Sequence, residues 1–172
     1  MDDRVVIARA DTLTRPEPGL YRTTNTLVSF AMDDPGAADE AWARENMRVG
    51  VQSQSEHCVS PEEAARGFRP MVEALGEGSC QITRFDVEGD RMGADIACDN
   101  TDGSATRIAM LATAGSTRSS LENHVVQTGA DVPGKRLEMT TRVENARIGA
   151  CPAPPPPDAV PAARGNSGPA AR

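Results

Sequence analysis

The residues of this chain best suited to chemistry are four cysteines, Cys58, Cys80, Cys98 and Cys151, and two histidines, His57 and His124. Successive cysteines are separated by 21, 17 and 52 residues. Structural zinc sites usually present two thiolates from one turn through a closely spaced cysteine pair. No such pair occurs, so the spacing argues against a metal. His57 adjoins Cys58, but a Cys/His nucleophile pair needs adjacency in space rather than in sequence. A Cys58 held in a disulfide would have no thiolate to offer. His124, beside Val125, reads as a surface or rim residue. What remains is a disulfide framework, the usual role of four cysteines in a small domain with a thin core.

The other motifs that carry chemistry are missing from the sequence. It has no nucleophile elbow, phosphate loop, H-E-x-x-H or dinucleotide fingerprint. Glu62 and Glu63 fit a helix N-terminus, where negative charge is favoured. Asp99 and Asp102 fit a turn, and the calcium-loop pattern is not met. The expectation is therefore no catalytic residue, no metal ligand and no cofactor.

The stretch Cys80–Cys98 must position two of the sulfurs. Met92, Ala94, Ile96 and Cys98 alternate onto one face of a strand. On the preceding strand Phe85 and Val87 share a face, and so do Cys80 and Ile82, but the two pairs are out of phase. A one-residue bulge near Thr83-Arg84 repairs the phase. With a two-residue turn at Gly89-Asp90, Val87 then faces Met92, Phe85 faces Ala94, Ile82 faces Ile96 and Cys80 faces Cys98.

Further strands are expected from Gly19 to Phe30, Val49 to Val59, Thr106 to Thr113, Ser119 to Thr128 and Leu137 to Ile148. The second of these is polar and reads as an edge or solvent-facing strand. Asp39 to Met47 could form a short helix laying Trp42 and Met47 over one end of the sheet. Ser60-Pro61-Glu62-Glu63 is a helix start: Ser60 caps, Pro61 fits the first turn and Glu63 completes the box. Pro70 should kink or shorten that helix.

The whole reads as mainly β, a seven-strand antiparallel meander forming a small barrel or a curved sheet, with one or two short helices. Its boundaries are a loose N-terminal arm over 1–16, a disulfide-stapled domain over 17–151 and a disordered Pro/Ala-rich tail over 152–172. In such a meander, strand direction favours Cys80–Cys98 with Cys58–Cys151. If the helix does not cross the sheet, Cys58, Cys80 and Cys98 cluster at one end and Cys151 is stranded; Cys58–Cys80 with Cys98–Cys151 is the runner-up pairing.

Composition limits the partners. Apolar residues make up 38% of the chain and aromatics 3%, namely Tyr21, Phe30, Trp42, Phe68 and Phe85. A core this poor in large side chains gains from covalent staples. A net charge of −7 argues against nucleic acid and anionic lipid as partners. No apolar run is long enough to span a membrane. The first residues are acidic and do not form a signal peptide, although disulfides call for an oxidising compartment. The expectation is a leader already removed, or a true start upstream.

In order along the chain, Pro18-Gly19-Leu20-Tyr21, then Glu56-His57-Cys58-Val59-Ser60-Pro61-Glu62-Glu63, the hairpin Cys80–Cys98 and Arg147-Ile148-Gly149-Ala150-Cys151-Pro152 together resemble domain-of-unknown-function family 3617. The resemblance covers about residues 16–152 with all four cysteines in place. It implies a periplasmic or secreted bacterial envelope protein made with a cleaved or lipidated leader, and it carries over no catalytic residue. The chain departs from the family in lacking the leader, in its acidic Asp33-Asp34 stretch, and in a Trp-bearing helix where many relatives have a Met- and Pro-rich loop. The functional expectation is a non-enzymatic binding or structural module whose partner is unknown, with an envelope protein or a small apolar ligand as the candidates. A small apolar-ligand barrel and a thiol-dependent enzyme are the alternatives, and the polar second strand offers a pairing edge.

Overall fold

The structure, a computed structural model, describes residues 2–75 and 80–153. The expected tail lies, from residue 154 on, outside the described residues. Seven antiparallel strands form one sheet: β1 (Gly19–Met32), β2 (Gln52–Val59), β3 (Cys80–Glu88), β4 (Arg91–Asp99), β5 (Ala105–Thr113), β6 (Arg118–Thr128) and β7 (Arg136–Gly149). Four short helices accompany them: α1 (Asp3–Ala10), α2 (Ala37–Asn46), α3 (Pro61–Arg66) and α4 (Arg69–Leu75).

The spatial order is β2-β1-β7-β6-β5-β4-β3. Strands β3 to β7 follow one another as a meander, and β1 then enters beside β7 rather than beside its chain neighbours alone. Both β1 and β7 are 14 residues long, so each offers the other the longest ladder in the molecule. Of the two forms expected, the sheet takes the open one. Closure into a barrel would need β2 to pair with β3, and it does not.

The β3–β4 hairpin has the expected register. Cys80 faces Cys98, Ile82 faces Ile96, Phe85 faces Ala94 and Val87 faces Met92, with the shift between Ile82 and Arg84. Gly89 turns the chain at φ +57°. The apolar face of this hairpin is the centre of the core: Phe85 and Ala94 are fully buried, with Met92, Ile96 and Cys98 beside them and Met110 from β5.

The helical layer over that core differs from the expectation in two ways. Residues 1–16 are not wholly a loose arm. Asp2 caps α1 by accepting the Arg4 N–H at 2.8 Å, and Val6, Ala10 and Leu13 recur at helical spacing, so all three enter the core. The Arg9 guanidinium donates to the Phe85 carbonyl, and Asp11 pairs with Arg69. The second difference is that Pro70 does not break the helix. The capping box at Ser60 and Glu63 forms as expected, but α3 ends at Gly67, φ +58°. Pro70 falls in the first turn of α4, where a missing N–H costs no intrahelical bond.

Helix α2 starts with the Gly36 N–H donating to Asp39 at 2.9 Å. It brings Trp42 to 6.2 Å from Phe30, ring centre to ring centre, which places Trp42 at one end of the sheet as expected.

Replacing Phe85 by alanine leaves a void at the centre of the core, and should cost about 3–5 kcal/mol. Leu111→Ala, at a side chain 63% exposed, should stay within about 0.5 kcal/mol. Urea unfolding of the two variants measures the difference.

Candidate functional site

The four cysteines form two bridges, Cys58–Cys151 and Cys80–Cys98, with Cα separations of 5.4 and 4.0 Å. The alternative connectivity is not adopted, and no cysteine is left as a thiol. Cys80–Cys98 closes the open end of the hairpin. Cys58–Cys151 has a different task. Cys58 lies opposite Leu20 on one side of β1, and Gly149 lies opposite Leu20 on the other. The bridge therefore ties β2 to the segment after β7 across the first residues of β1. That crossing is tight: at Gly19, φ +152°, a Cβ would stand 2.6 Å from the Gly149 carbonyl oxygen. Only glycine fits there.

Following the registers outward from the core assigns every strand residue to one of two faces. Met92, Ala94 and Ile96 lie opposite Ala112, Met110 and Ile108, and these lie opposite Leu121, Asn123 and Val125. Those in turn face Val143, Thr141 and Met139 on β7, which face Asn25, Leu27 and Phe30 on β1. Ser53, Ser55 and His57 of β2 continue the same face beside Asn25, Thr23 and Tyr21. Helices α1 and α4 pack over its β3–β5 part. The β6-β7-β1-β2 part keeps its side chains partly or fully exposed, Tyr21 and Leu137 excepted.

Charge separates cleanly between the two faces of these four strands. The opposite face carries the ion pairs Arg22–Glu56, Arg142–Glu122 and Arg136–Glu138, together with Glu144 and His124. The uncovered part of the core face has uncharged strand residues, apart from Arg147 at its end, whose guanidinium donates to the Pro18 carbonyl at 2.9 Å. A groove of about 370 Å³ lies on it between Asn25, Leu27, Ser53, Thr141 and Val143, with Asn46 and Arg48 at its rim.

A run of hydrogen bonds crosses this face over four strands. The Asn145 amide N–H donates to Ser119 Oγ at 3.2 Å, so its carbonyl oxygen accepts from Thr23 Oγ1 at 2.6 Å. With its one proton committed, Thr23 Oγ1 can only accept from His57 Nδ1, 3.4 Å away. His57 also stacks on Tyr21 at 6.0 Å. The Tyr21 hydroxyl bonds the carbonyls of Glu17 and Ser116, both at 2.9 Å, and its burial raises the phenol pKa above the ordinary value. Further along the face, Asn123 has a buried amide oxygen with no hydrogen-bond partner.

This arrangement holds hydrogen bonds rather than driving proton transfer. The Thr23 hydroxyl points its proton at an amide, which cannot take it up. His57 lies beside an oxidised Cys58, which removes the thiol pair considered from sequence. His124 lies on the opposite face, bonded to Glu138 at 2.7 Å. Among the described residues no group of three or more His, Cys, Asp or Glu side chains could hold a metal, and no helix is long and apolar enough to cross a membrane. Thr23, Asn25, Asn123, Thr141 and Asn145 are the residues that motif reasoning missed. The alternation of Leu137, Met139, Thr141 and Val143 was the available signal for Thr141 and, one step further on, Asn145.

Residues 16–151 match the family described as Protein of unknown function (DUF3617), and the chain belongs to it. No curated protein and no solved structure matches.

The bridges close loops of very different length, with sequence separations of 93 and 18. On the loop-entropy account, replacing Cys58 and Cys151 together by serine should cost about 4–5 kcal/mol, and replacing Cys80 and Cys98 about 3 kcal/mol. Denaturant midpoints of the two double variants give the order. The charged face contributes to the acid limb. The hydrogen bond from His124, then that from Arg136, holds the Glu138 carboxyl below its ordinary value of 4.5. A depressed carboxyl stabilises the fold above the unfolded pKa, and the contribution disappears as pH falls through the folded one. Stability should therefore drop below about pH 4.5, and Glu138→Gln should make that drop shallower in thermal melts recorded against pH.

Proposed function

We propose that this chain, a member of the DUF3617 family, is a non-enzymatic binding module of an oxidising envelope compartment, periplasmic or secreted. It holds an extended, neutral ligand on the uncovered β6-β7-β1-β2 face. One observation carries the reading: the strand charges lie on the opposite face. An antiparallel sheet with one solvated face normally puts its polar and charged residues there and its core on the other. Here the core face runs on past its helical cover, and its strand residues, Arg147 at the end excepted, stay uncharged. Displacing water from amides and hydroxyls costs far less than displacing it from charges, so a neutral ligand can dock there cheaply.

The shape suits a linear ligand. From Thr23 to Phe30 the face extends roughly 23 Å along β1, with Tyr21 and His57 beyond one end and Phe30 and Trp42 at the other. Thr23, Asn25, Ser53, Ser55, Thr141 and Asn145 supply donors and acceptors between them. The apolar-ligand alternative has less support. The sheet is open, and the apolar crevice between Phe68, Met71, Leu121 and Val143 holds about 80 Å³, against the ~300 Å³ of a small-molecule pocket. The compartment reading is supported by the two bridges, which persist where thiols are not kept reduced.

Amide chemical shifts, followed while neutral oligosaccharides and uncharged peptides are titrated in, test the surface. Shifts should concentrate at Thr23, Asn25, Thr141 and Asn145. Asn25→Lys should weaken binding on the order of tenfold through charge desolvation, and Glu122→Lys should leave it intact. Shifts gathered on the Glu122–Arg142 side would overturn the proposal. Recovery of the native protein from the cytosol with reduced thiols would overturn the compartment.

A further inference from the structure

The two edges of the sheet are built differently. The β3 edge is interrupted by the bulge between Ile82 and Arg84, and the Arg9 guanidinium of α1 occupies the Phe85 carbonyl. These are devices that keep an edge from pairing. The β2 edge has none of them. Its register with β1 runs unbroken from Val59 to Gln52, its residues from Gln52 to Cys58 are exposed, and the stretch holds neither lysine nor proline. No described strand pairs on its outer side. A regular row of backbone donors and acceptors is thus presented outward.

We propose that β2 pairs with β2 of a second copy of this chain, antiparallel, with Ser55 on the two-fold axis. Antiparallel partners directly opposite each other point to the same face, so a two-fold axis through the strand must pass through a residue. Near the strand centre the choice is Ser55 or Glu56. The Glu56 register sets two carboxylates directly opposite, which is destabilising. The Ser55 register sets Gln54 of each copy opposite Glu56 of the other, and Ser53 opposite His57. Within the chain, Arg22 donates to Glu56 twice, both times to Oε1, at 2.9 and 3.2 Å. Oε2 has no partner among the described residues, and it accepts the Gln54 amide from the second copy. Pairing in this register also joins the two uncovered faces into one. The inference does not rest on the ligand reading, because it uses the edge and not the face.

One strand pair buries less than a standard interface, so the dimer is reversible, and the net charge of −7 on each copy makes added salt favour it. Sedimentation across concentration measures it. Gln54→Lys places an ammonium opposite Glu56 twice and should tighten the dimer about tenfold, and Gln54→Glu should loosen it about as much. Both substitutions sit on an exposed edge, so the thermal midpoint of each reports whether the fold is intact. Hydrogen exchange should show β2 amides gaining protection with concentration. A monomer at every concentration with an unmoved Gln54→Lys variant, both variants shifting association in the same direction, protection appearing on β3, or protection of β2 only upon adding an extended peptide of another protein would each overturn the proposal.

Discussion

One-sided burial governs this molecule. The apolar residues suffice to cover one half of one sheet face, and the helical layer sits there. Phe85, Ala94 and Val6 are at most 1% exposed, and the main cluster of buried residues is built around them. Beyond β5 the packed cluster takes in Leu121 of β6 but no described residue of β1, β2 or β7, so those three strands rest mainly on ladder hydrogen bonds and cross-strand pairs, each worth only about 0.2–1 kcal/mol. Cys58–Cys151 compensates at the point where packing is thinnest. It clamps β2 and the end of β7 over the start of β1, and the glycine at position 19 lets the three segments come that close. The other bridge lies at the rim of the packed core, where Cys98 is already 5% exposed. The two sulfur bonds thus act in different surroundings, one reinforcing a core and the other standing in for one.

Much of this was legible in the residues, for identifiable reasons. The hairpin register followed from a phase conflict: Cys80 and Ile82 cannot share a face with Phe85 and Val87 unless one residue is extruded. The bridge Cys58–Cys151 followed from strand direction alone. The insertion of β1 beside β7 did not, because the sequence states which residues are extended but not which long strand pairs with which. Helix α1 was missed although its signals were present. Asp2 stands at a capping position, and Val6, Ala10 and Leu13 repeat at four and three residues. Its short length and low apolar content made it resemble an arm. The break at Gly67 was missed for a related reason: Pro70 is the stronger breaker in isolation, but in the first turn of a helix proline is tolerated.

The candidate surface was the least legible part. Thr23, Asn25, Ser53, Ser55 and Asn145 are residue types that normally mean a solvated face, and in β2 they were read that way. Only the register shows that they share a side with Phe85 and Met92. The β1 bulge between Leu27 and Ser29 hides this further, because it moves Phe30 onto the side that strict alternation from Leu27 would deny it. A surface of this kind carries no motif. Its signal is an absence of charge on one parity of four strands, and parity cannot be assigned before pairing is known.

The same asymmetry bears on what kind of activity the domain can support. Catalysis by acid–base or nucleophilic steps needs a group whose proton is poised to move. On the uncovered face the bonded groups are committed to neutral neighbours, Thr23 to Asn145, Asn145 to Ser119 and His57 to Thr23, while the Asn123 amide oxygen stays unpaired. The shifted carboxyls lie elsewhere, and their shifts come from ion pairs, a helix cap and a turn. Asp95 is lowered chiefly by its bond to Arg84, and Glu63 by the Ser60 backbone. Those are the signatures of a charged, stabilised exterior and not of a site held under electrostatic tension. A face that is neutral, hydrogen-bonding and only partly covered can still do something a charged one does poorly, which is to exchange water for a ligand of similar polarity without burying a charge. That exchange is the chemistry on which the proposed binding role rests.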